Sequence, residues 1–280
     1  AASLVSTGTQ NVAVGALALD ANTTASNNTA VGYDALGANT TGIQNTAVGC
    51  LAASDITTGT RNTAIGYNTL NGLQTGQNNT AVGYNALDAL SSNTFSNTAV
   101  GSFAGTAITS GQNNIAIGVS SLASCTSGGS NVAIGDEALN ATTTSSNNTA
   151  VGKAALTANT TGTSNVAVGA QSLDANTTAS HNTAVGHASL GVTTTGHSNT
   201  SVGQGAAENV TTGSHNVAVG RNSLGSQTTA NNNVAIGQSA LFANTTGTSN
   251  TAVGAYALDA ATTADNNTAV GHDALTANTT

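Results

Sequence analysis

Residues 28–44 read NTAVGYDALGANTTGIQ and residues 45–61 read NTAVGCLAASDITTGTR, so one seventeen-residue pattern is used twice in succession. Its core is Asn, then Thr, Val or Ile, then Ala or Ser, then Val or Ile, then Gly, and it returns along the whole chain. The interval is always 17 residues except between Asn79 and Asn97, where it is 18. A fixed period of this kind indicates a repeat architecture in which each position has one structural task.

We number each repeat, or coil, from its Asn as position 1. Alternating β-branched residues at positions 2 and 4 predict a short strand with these two positions facing inward. Gly at position 5 predicts a corner that needs a positive φ or a close approach of the backbone. Leu, usual at position 9, is expected to fill the interior, and the Thr pair at positions 13 and 14 to form a second short strand. Coils 1 to 16 begin at Asn11, Asn28, Asn45, Asn62, Asn79, Asn97, Asn114, Asn131, Asn148, Asn165, Asn182, Asn199, Asn216, Asn233, Asn250 and Asn267.

These patterns predict an all-β fold, because seventeen residues are too few for two helices but suffice for one turn of a β-coil. We expect a β-solenoid or β-roll of sixteen 17-residue coils that forms a single repeat domain over residues 1–280. At a rise of ~4.8 Å per coil it would be an elongated rod roughly 75–80 Å long. The extra residue within 79–96 is expected to form a loop bulge. Columns of Asn at position 1 and Thr at position 14 are expected to form hydrogen-bonded ladders.

Composition supports a thin core with polar corners. The chain has 280 residues, of which 5% are charged and 2% aromatic, with no Trp, Met or Pro. Typical globular domains have roughly a quarter charged residues, and disordered chains are usually rich in charge and Pro. The charges occur only at positions 6, 7, 10, 11, 16 and 17. Because an unpaired charge is rarely buried, we expect these positions to lie at solvent-exposed corners.

Several functional classes are excluded by the same composition. The three basic residues, Arg61, Lys153 and Arg221, are scattered along a chain of net charge −8, whereas nucleic-acid binding needs several cations together. No apolar run is long enough to span a membrane. The first residues, AASLVSTGTQ, do not show the basic and apolar regions of a signal peptide.

The recurring combination NTAVGY…AL…NTTG resembles the repeats of phage tail-fibre proteins. It is similar, more distantly, to the SVAIG-type repeats in the heads of trimeric autotransporter adhesins. The resemblance covers essentially the whole chain. It implies a β-roll section of a fibre, often made of three chains, that acts as a spacer or attaches to surfaces outside the cell or on a virion.

Self-association is also expected from the residues themselves. If positions 2 and 4 face inward, positions 1, 3 and 5 present Asn, Ala and Gly outward, a face small enough to pack closely on another chain. The alternative is that Ala at position 3 merely suits a tight coil. The sequence begins at position 8 and stops at position 14 of a coil, so we expect unpaired ladder edges that favour stacking. A trimer or an end-to-end filament is therefore predicted.

The candidate binding residues are aromatic. Tyr33, Tyr67 and Tyr84 share position 6 of coils 2, 4 and 5, and Phe103 is at position 7 of coil 6. A row of exposed aromatic side chains could stack on the sugars of a cell-surface glycan. The same row could instead shield a corner of the coil, and the sequence leaves both interpretations open.

No catalytic, cofactor-binding or metal-binding residues are predicted, and the chain is not expected to be an enzyme. Carboxylates at position 10 lie in coils mostly far apart, and no nucleophile motif occurs outside the repeat. Cys50 and Cys125 are four coils apart, ~19 Å along the axis, so we expect no internal disulfide. Two buried free thiols are expected, and the alternative is a bond between chains. The histidines lack the H-x-H spacing expected of a metal site; they are His181, His187, His197 and His215, within about three coils, and His272.

The leading hypothesis from sequence is therefore a non-catalytic structural fibre segment, a tail-fibre or adhesin shaft for surface attachment. The alternative is a monomeric solenoid that binds ice or a polysaccharide through its Thr ladders. Such a surface needs two parallel columns of Thr. Position 14 supplies one column, but its neighbour, position 12, varies in residue type from coil to coil and does not supply the second.

Overall fold

The computed structural model describes residues 7–91 and 93–279, and it confirms an all-β solenoid with one strand per coil. Each strand comprises positions 2 to 4 of its coil. The strands are β1 (Val12–Val14), β2 (Thr29–Val31), β3 (Thr46–Val48), β4 (Thr63–Ile65), β5 (Thr80–Val82), β6 (Thr98–Val100), β7 (Ile115–Ile117), β8 (Val132–Ile134), β9 (Thr149–Val151), β10 (Val166–Val168), β11 (Thr183–Val185), β12 (Thr200–Val202), β13 (Val217–Val219), β14 (Val234–Ile236), β15 (Thr251–Val253) and β16 (Thr268–Val270).

The coils form two compact units, the first ending at Ser145 and the second beginning at Ser146. In the first unit β1 to β8 lie side by side in chain order, each parallel to the next. In the second unit β9 to β16 are arranged in the same way. Every pair is in register, so that position 2 lies beside position 2, as Thr46 beside Thr63. Side chains of one position therefore form a column in each unit.

The core is narrow and is lined by positions 1, 3, 8, 9, 12 and 15. Every Leu at position 9 from Leu19 to Leu258 is fully buried, as predicted. The charged side chains are all at least partly exposed, which confirms the prediction that they lie at corners. Position 12 carries the other large interior side chains, including Ile56, Leu73 and Leu90.

The predicted orientation of the strand is wrong. Ala81, Ala150 and Ala184 at position 3 are fully buried, whereas Val48 and Ile65 at position 4 are 37% and 40% exposed. Because side chains alternate along a strand, this single inversion moves positions 2 and 4 to the outside. The interior is too thin for two β-branched columns beside Leu of position 9, and Ala leaves that space free. Asn and Ala of the predicted packing face are therefore interior, whereas Gly at position 5 remains at a partly exposed corner.

Asn at position 1 faces inward and forms the predicted ladder. The Asn45 side-chain Nδ2 donates to the carbonyl oxygen of Gly59 at 2.8 Å, and its backbone N–H donates to Asn28 Oδ1 at 2.8 Å. The same two bonds recur at Asn62, whose backbone N–H donates to Asn45 Oδ1. Each amide thus joins two neighbouring coils and closes its own coil, which satisfies a polar group that would be costly to bury alone.

Gly at position 5 is required for both predicted reasons, a positive φ and a close approach of the backbone. Its φ lies between 127° and 141° in all sixteen coils. A Cβ added to Gly49 would stand 2.2 Å from the carbonyl oxygen of Gly66 in the next coil. No side chain fits this corner.

Positions 13 and 14 do not form the predicted second strand, since no described residue there is in a strand and most lie in bends. The expected Thr ladder also lies one residue earlier than predicted. It is position 13 whose hydroxyl bonds the next coil, as where Thr40 Oγ1 donates to the Thr57 carbonyl oxygen at 3.1 Å. Thr41 and Thr58 at position 14 are exposed instead.

The eighteen-residue coil absorbs its extra residue in a loop, as predicted. Asn79 Nδ2 still donates to a carbonyl, that of Thr94, but across fifteen residues instead of fourteen. The strand register continues undisturbed, with Thr80 beside Thr98. Ser92, within this loop, lies outside the described residues.

Candidate interaction surface

The main candidate surface is the outer side of the strands, which we call the β-branched face. It consists of positions 2 and 4 of every coil. Position 2 is Thr in ten coils and Val or Ile in six, and position 4 is always Val or Ile. Several of these apolar side chains are more than a third exposed, among them Ile115, Ile117 and Ile236. In sixteen coils the face holds no charge.

The geometry of the β-branched face is regular within each unit. Columns of positions 2 and 4 are ~6.7 Å apart along a strand and ranks are ~4.8 Å apart between strands. A strip three residues wide over eight coils covers roughly 10 by 38 Å, about 380 Å². Because position 2 is Thr in ten coils, the apolar part of this strip is chiefly the position 4 column of Val and Ile.

The predicted aromatic residues lie on the first unit, at the corner beside position 4. Tyr67 and Tyr84 are stacked with ring centroids 5.4 Å apart and an angle of 10° between planes, and Phe103 meets Tyr84 edge-on at 5.2 Å. Tyr33 is 53% exposed, but Cys50 occupies position 6 between it and Tyr67. The structure thus brings three of the four residues together.

This aromatic contact alters what the row can do. Tyr67 and Tyr84 are both exposed, and each presents one ring face to the other. Stacking on a sugar needs a free ring face, which this pair does not offer between its two rings. The arrangement therefore favours a shielded corner that widens the β-branched face, and not a platform on which a glycan stacks.

The electrostatics of the corners are those of solvated groups. Arg61 at position 17 donates to Asn78 Oδ1 at 2.9 Å and to Gln77 Oε1 at 2.8 Å, both in the next coil. Partial burial raises the pKa of the Asp34 carboxyl, and the nearby carboxylates of Asp55 and Asp20 raise it further. The Arg61 hydrogen bonds thus join two neighbouring coils at a corner. The β-branched face itself carries no charged residue.

The two cysteines differ more than the sequence indicates. Cys125 is buried, and burial raises the pKa of its thiol to about 11. Cys50 is exposed, so the prediction of a buried thiol is wrong there. Position 6 is a corner with no interior to fill, whereas Cys125 at position 12 occupies the core.

Among the histidines, the structure brings two together. His197 and His215 have ring centroids 5.0 Å apart, with their planes at 90°. His272 contacts Tyr256 at 6.0 Å and its Nδ1 lies 2.8 Å from Asp273. The His197–His215 contact is not evident in the sequence, because the two residues are eighteen residues apart and occupy different positions, 16 and 17, of adjacent coils.

The described residues form no metal-binding cluster, no pocket and no membrane-spanning helix. They contain no group of three or more His, Cys, Asp or Glu placed to hold a metal ion. Within the same residues there is no pocket and no helix of the length and hydropathy needed to cross a bilayer.

The sequence matches no family model and no curated protein.

Proposed function

We propose that the protein is a non-catalytic structural segment of a fibre, assembled from copies that pack through the β-branched face, and that it works outside the cell or on a virion surface. The observation that carries this proposal is the absence of charge from an exposed face. Corner positions accept Asp, Glu, Lys and Arg, yet positions 2 and 4 hold only Thr, Val and Ile in sixteen coils. A solvated strand face normally alternates with charged and polar residues, so another surface is expected to cover this one.

A second copy of the chain fits this face better than an unlike partner. Each rank of one copy meets a rank of the same ~4.8 Å spacing on another, so contacts repeat along the unit. The face is neutral and needs no complementary charge. Each unit supplies about 380 Å², compared with the ~800 Å² per partner of a standard interface. The resemblance to fibre repeats agrees with parallel copies, three in the adhesin heads.

Charge substitution on the face tests the proposal. The variant Val48→Lys/Ile65→Lys/Val100→Lys puts three cations on the β-branched face, where their burial between copies costs several kcal/mol. Light scattering after gel filtration should show an oligomer for the wild type and a smaller species for the variant, with an unchanged circular dichroism spectrum. The control Thr41→Lys/Thr58→Lys/Ser110→Lys, at exposed position 14, should leave the oligomer intact. A monomeric wild type would contradict the proposal.

A second candidate function is a monomeric binding module for ice or a crystalline polysaccharide. It is favoured by five successive Thr at position 2, in coils 2 to 6, beside Val or Ile at position 4. The hydroxyl and methyl groups of positions 2 and 4 then form a flat lattice. The sequence instead predicts the binding surface at positions 12 and 14, but position 12 is buried. This function requires an uncovered face. A monomer that stops ice recrystallisation, and loses that activity in Thr46→Lys/Thr63→Lys, would favour it.

A further inference from the structure

A pair of histidines in the second unit has the features of a small metal site. His197 is at position 16 of coil 11 and His215 at position 17 of coil 12, and both side chains are exposed. Their backbones are tied, since the His215 N–H donates to the His197 carbonyl oxygen at 3.1 Å. The rings stand edge to face with centroids 5.0 Å apart.

This separation suits two imidazoles that share one ion. Ligand nitrogens at ~2.1 Å from a tetrahedral metal are ~3.4 Å apart, and ring centroids 5.0 Å apart can reach that arrangement by rotation of two exposed side chains. The backbones need not move. The stacked coils therefore hold the two ligands close before any ion binds, which lowers the entropic cost of the second bond.

One ring is already oriented for this role. His197 Nδ1 lies 3.3 Å from Ser198 Oγ, and when Nδ1–H donates to this hydroxyl oxygen, Nε2 is left with its lone pair free. Metal-binding histidines commonly use their second nitrogen in this way, because the hydrogen bond fixes the ring and the tautomer. The coil backbone further holds His197, whose N–H donates to Ser214 Oγ at 3.1 Å.

We propose that His197 and His215 bind one divalent transition-metal ion between them, with water in the remaining coordination positions, and so bridge coils 11 and 12. Two neutral imidazoles select Zn²⁺, Ni²⁺ or Cu²⁺, whereas Ca²⁺ and Mg²⁺ need several oxygen ligands. The site is independent of the proposed fibre function, because positions 16 and 17 lie outside the β-branched face.

Calorimetric titration of the full chain with NiCl₂, in a buffer that does not coordinate metals, tests the site. The wild type should bind one ion per chain, and the melting temperature should rise with Ni²⁺ because only the folded state holds both ligands together. His197→Gln and His215→Gln should each weaken binding by roughly 10²-fold, as the second imidazole acts intramolecularly.

The matched control is His187→Gln, an exposed histidine at position 6 with no histidine neighbour in contact, which should bind Ni²⁺ like the wild type. Circular dichroism verifies that all variants fold, as expected for substitutions at exposed positions. The proposal is wrong if the wild type takes up no Ni²⁺ at millimolar concentration. It is equally wrong if the double variant His197→Gln/His215→Gln keeps the wild-type affinity.

Discussion

At the residue scale, one glycine per coil sets the distance between coils. Gly49 has a φ of 139°, and an added Cβ would meet the Gly66 carbonyl oxygen at 2.2 Å. Gly49→Ala should therefore lower the free energy of unfolding by more than about 3 kcal/mol, from backbone strain and steric overlap together. Urea unfolding followed by circular dichroism measures the loss.

The matched control for this prediction is Gly191→Ala, at position 10. Its φ is not in the left-handed region, and its nearest contact would be 3.3 Å from Ala188. This change should shift the free energy of unfolding by less than about 1 kcal/mol. Equal losses in the two variants would mean that the corner geometry is not what requires Gly49.

The two thiols provide a second test at this scale. Burial raises the pKa of Cys125 to about 11, so its reactive thiolate is scarce near pH 8, while Cys50 is exposed. Iodoacetamide at pH 8 should alkylate Cys50 alone in the native protein and both residues in urea, as read by peptide mass spectrometry. Because the folded pKa lies above the unfolded one, stability should be constant below the unfolded value and fall as pH rises towards 11. Native labelling of Cys125 at the Cys50 rate would contradict the burial.

At the element scale, positions 9 and 12 of one coil are both in the core, and coils differ in how they fill it: coil 4, for example, holds two leucines, Leu70 and Leu73. Where position 9 is small, position 12 is β-branched and large, as in Ala53 with Ile56 and Gly105 with Ile108. A Cβ added at Gly105 would stand 2.8 Å from Leu87 Cδ2 of the preceding coil and 3.0 Å from Ile108 Cδ1 of its own coil. Side chains of the same coil and of its neighbour thus fill the space where Leu at position 9 is absent.

A double-mutant cycle measures this compensation. Ala53→Leu should destabilise the protein by about 1–3 kcal/mol, because it overfills a complete core. In the double variant Ala53→Leu/Ile56→Asn, which recreates the Leu36 and Asn39 pair of coil 2, most of that loss should be recovered. Additive free energies of unfolding would show that the two positions do not share space.

The elements also show what sequence could and could not predict. The period, the glycine corner, the buried Leu column and the Asn ladder follow from residue types repeated at fixed positions. Which face of the strand is buried does not follow from the sequence. Alternation defines two faces without saying which one is inside, and both Ala30 and Val31 could lie on the inner or the outer face. The deciding quantity is interior width, which depends on Leu36 and its neighbours in three dimensions.

The residues with a positive φ could not be predicted from the sequence either. Positions 7, 9 and 17 have a positive φ although they are seldom Gly, as in Asp34 at 54°, Leu36 at 51° and Gln44 at 60°. Leu is an unfavourable residue for this conformation, at a cost of roughly 1–2 kcal/mol. Burial of its side chain and the bond from the Leu36 N–H to the Ala52 carbonyl oxygen at 3.1 Å offset that cost.

At the scale of the whole molecule, the inversion of the strand relocates the expected partner surface. Asn and Ala of the predicted face are interior, so Ala81→Glu should unfold neighbouring coils through an unpaired buried charge and lower stability by several kcal/mol in any assembly state. Val82→Lys, the adjacent residue on the β-branched face, should leave the fold intact. Thermal unfolding of both variants distinguishes them, and a folded Ala81→Glu protein would contradict the inward direction of position 3.

The central claim is that position 4 points out of its own coil and is covered by another copy, and thiol labelling of Val82→Cys tests it most directly. In a Cys50→Ser background, we compare this cysteine with Thr58→Cys at exposed position 14, in the oligomer and in the Val48→Lys/Ile65→Lys/Val100→Lys variant. The account predicts slow labelling at 82 in the oligomer, fast labelling in the dissociated variant, and fast labelling at 58 in both. Protection at 82 in the dissociated chain would place the side chain inside the coil, and fast labelling in both states would leave the face uncovered; either result contradicts the account.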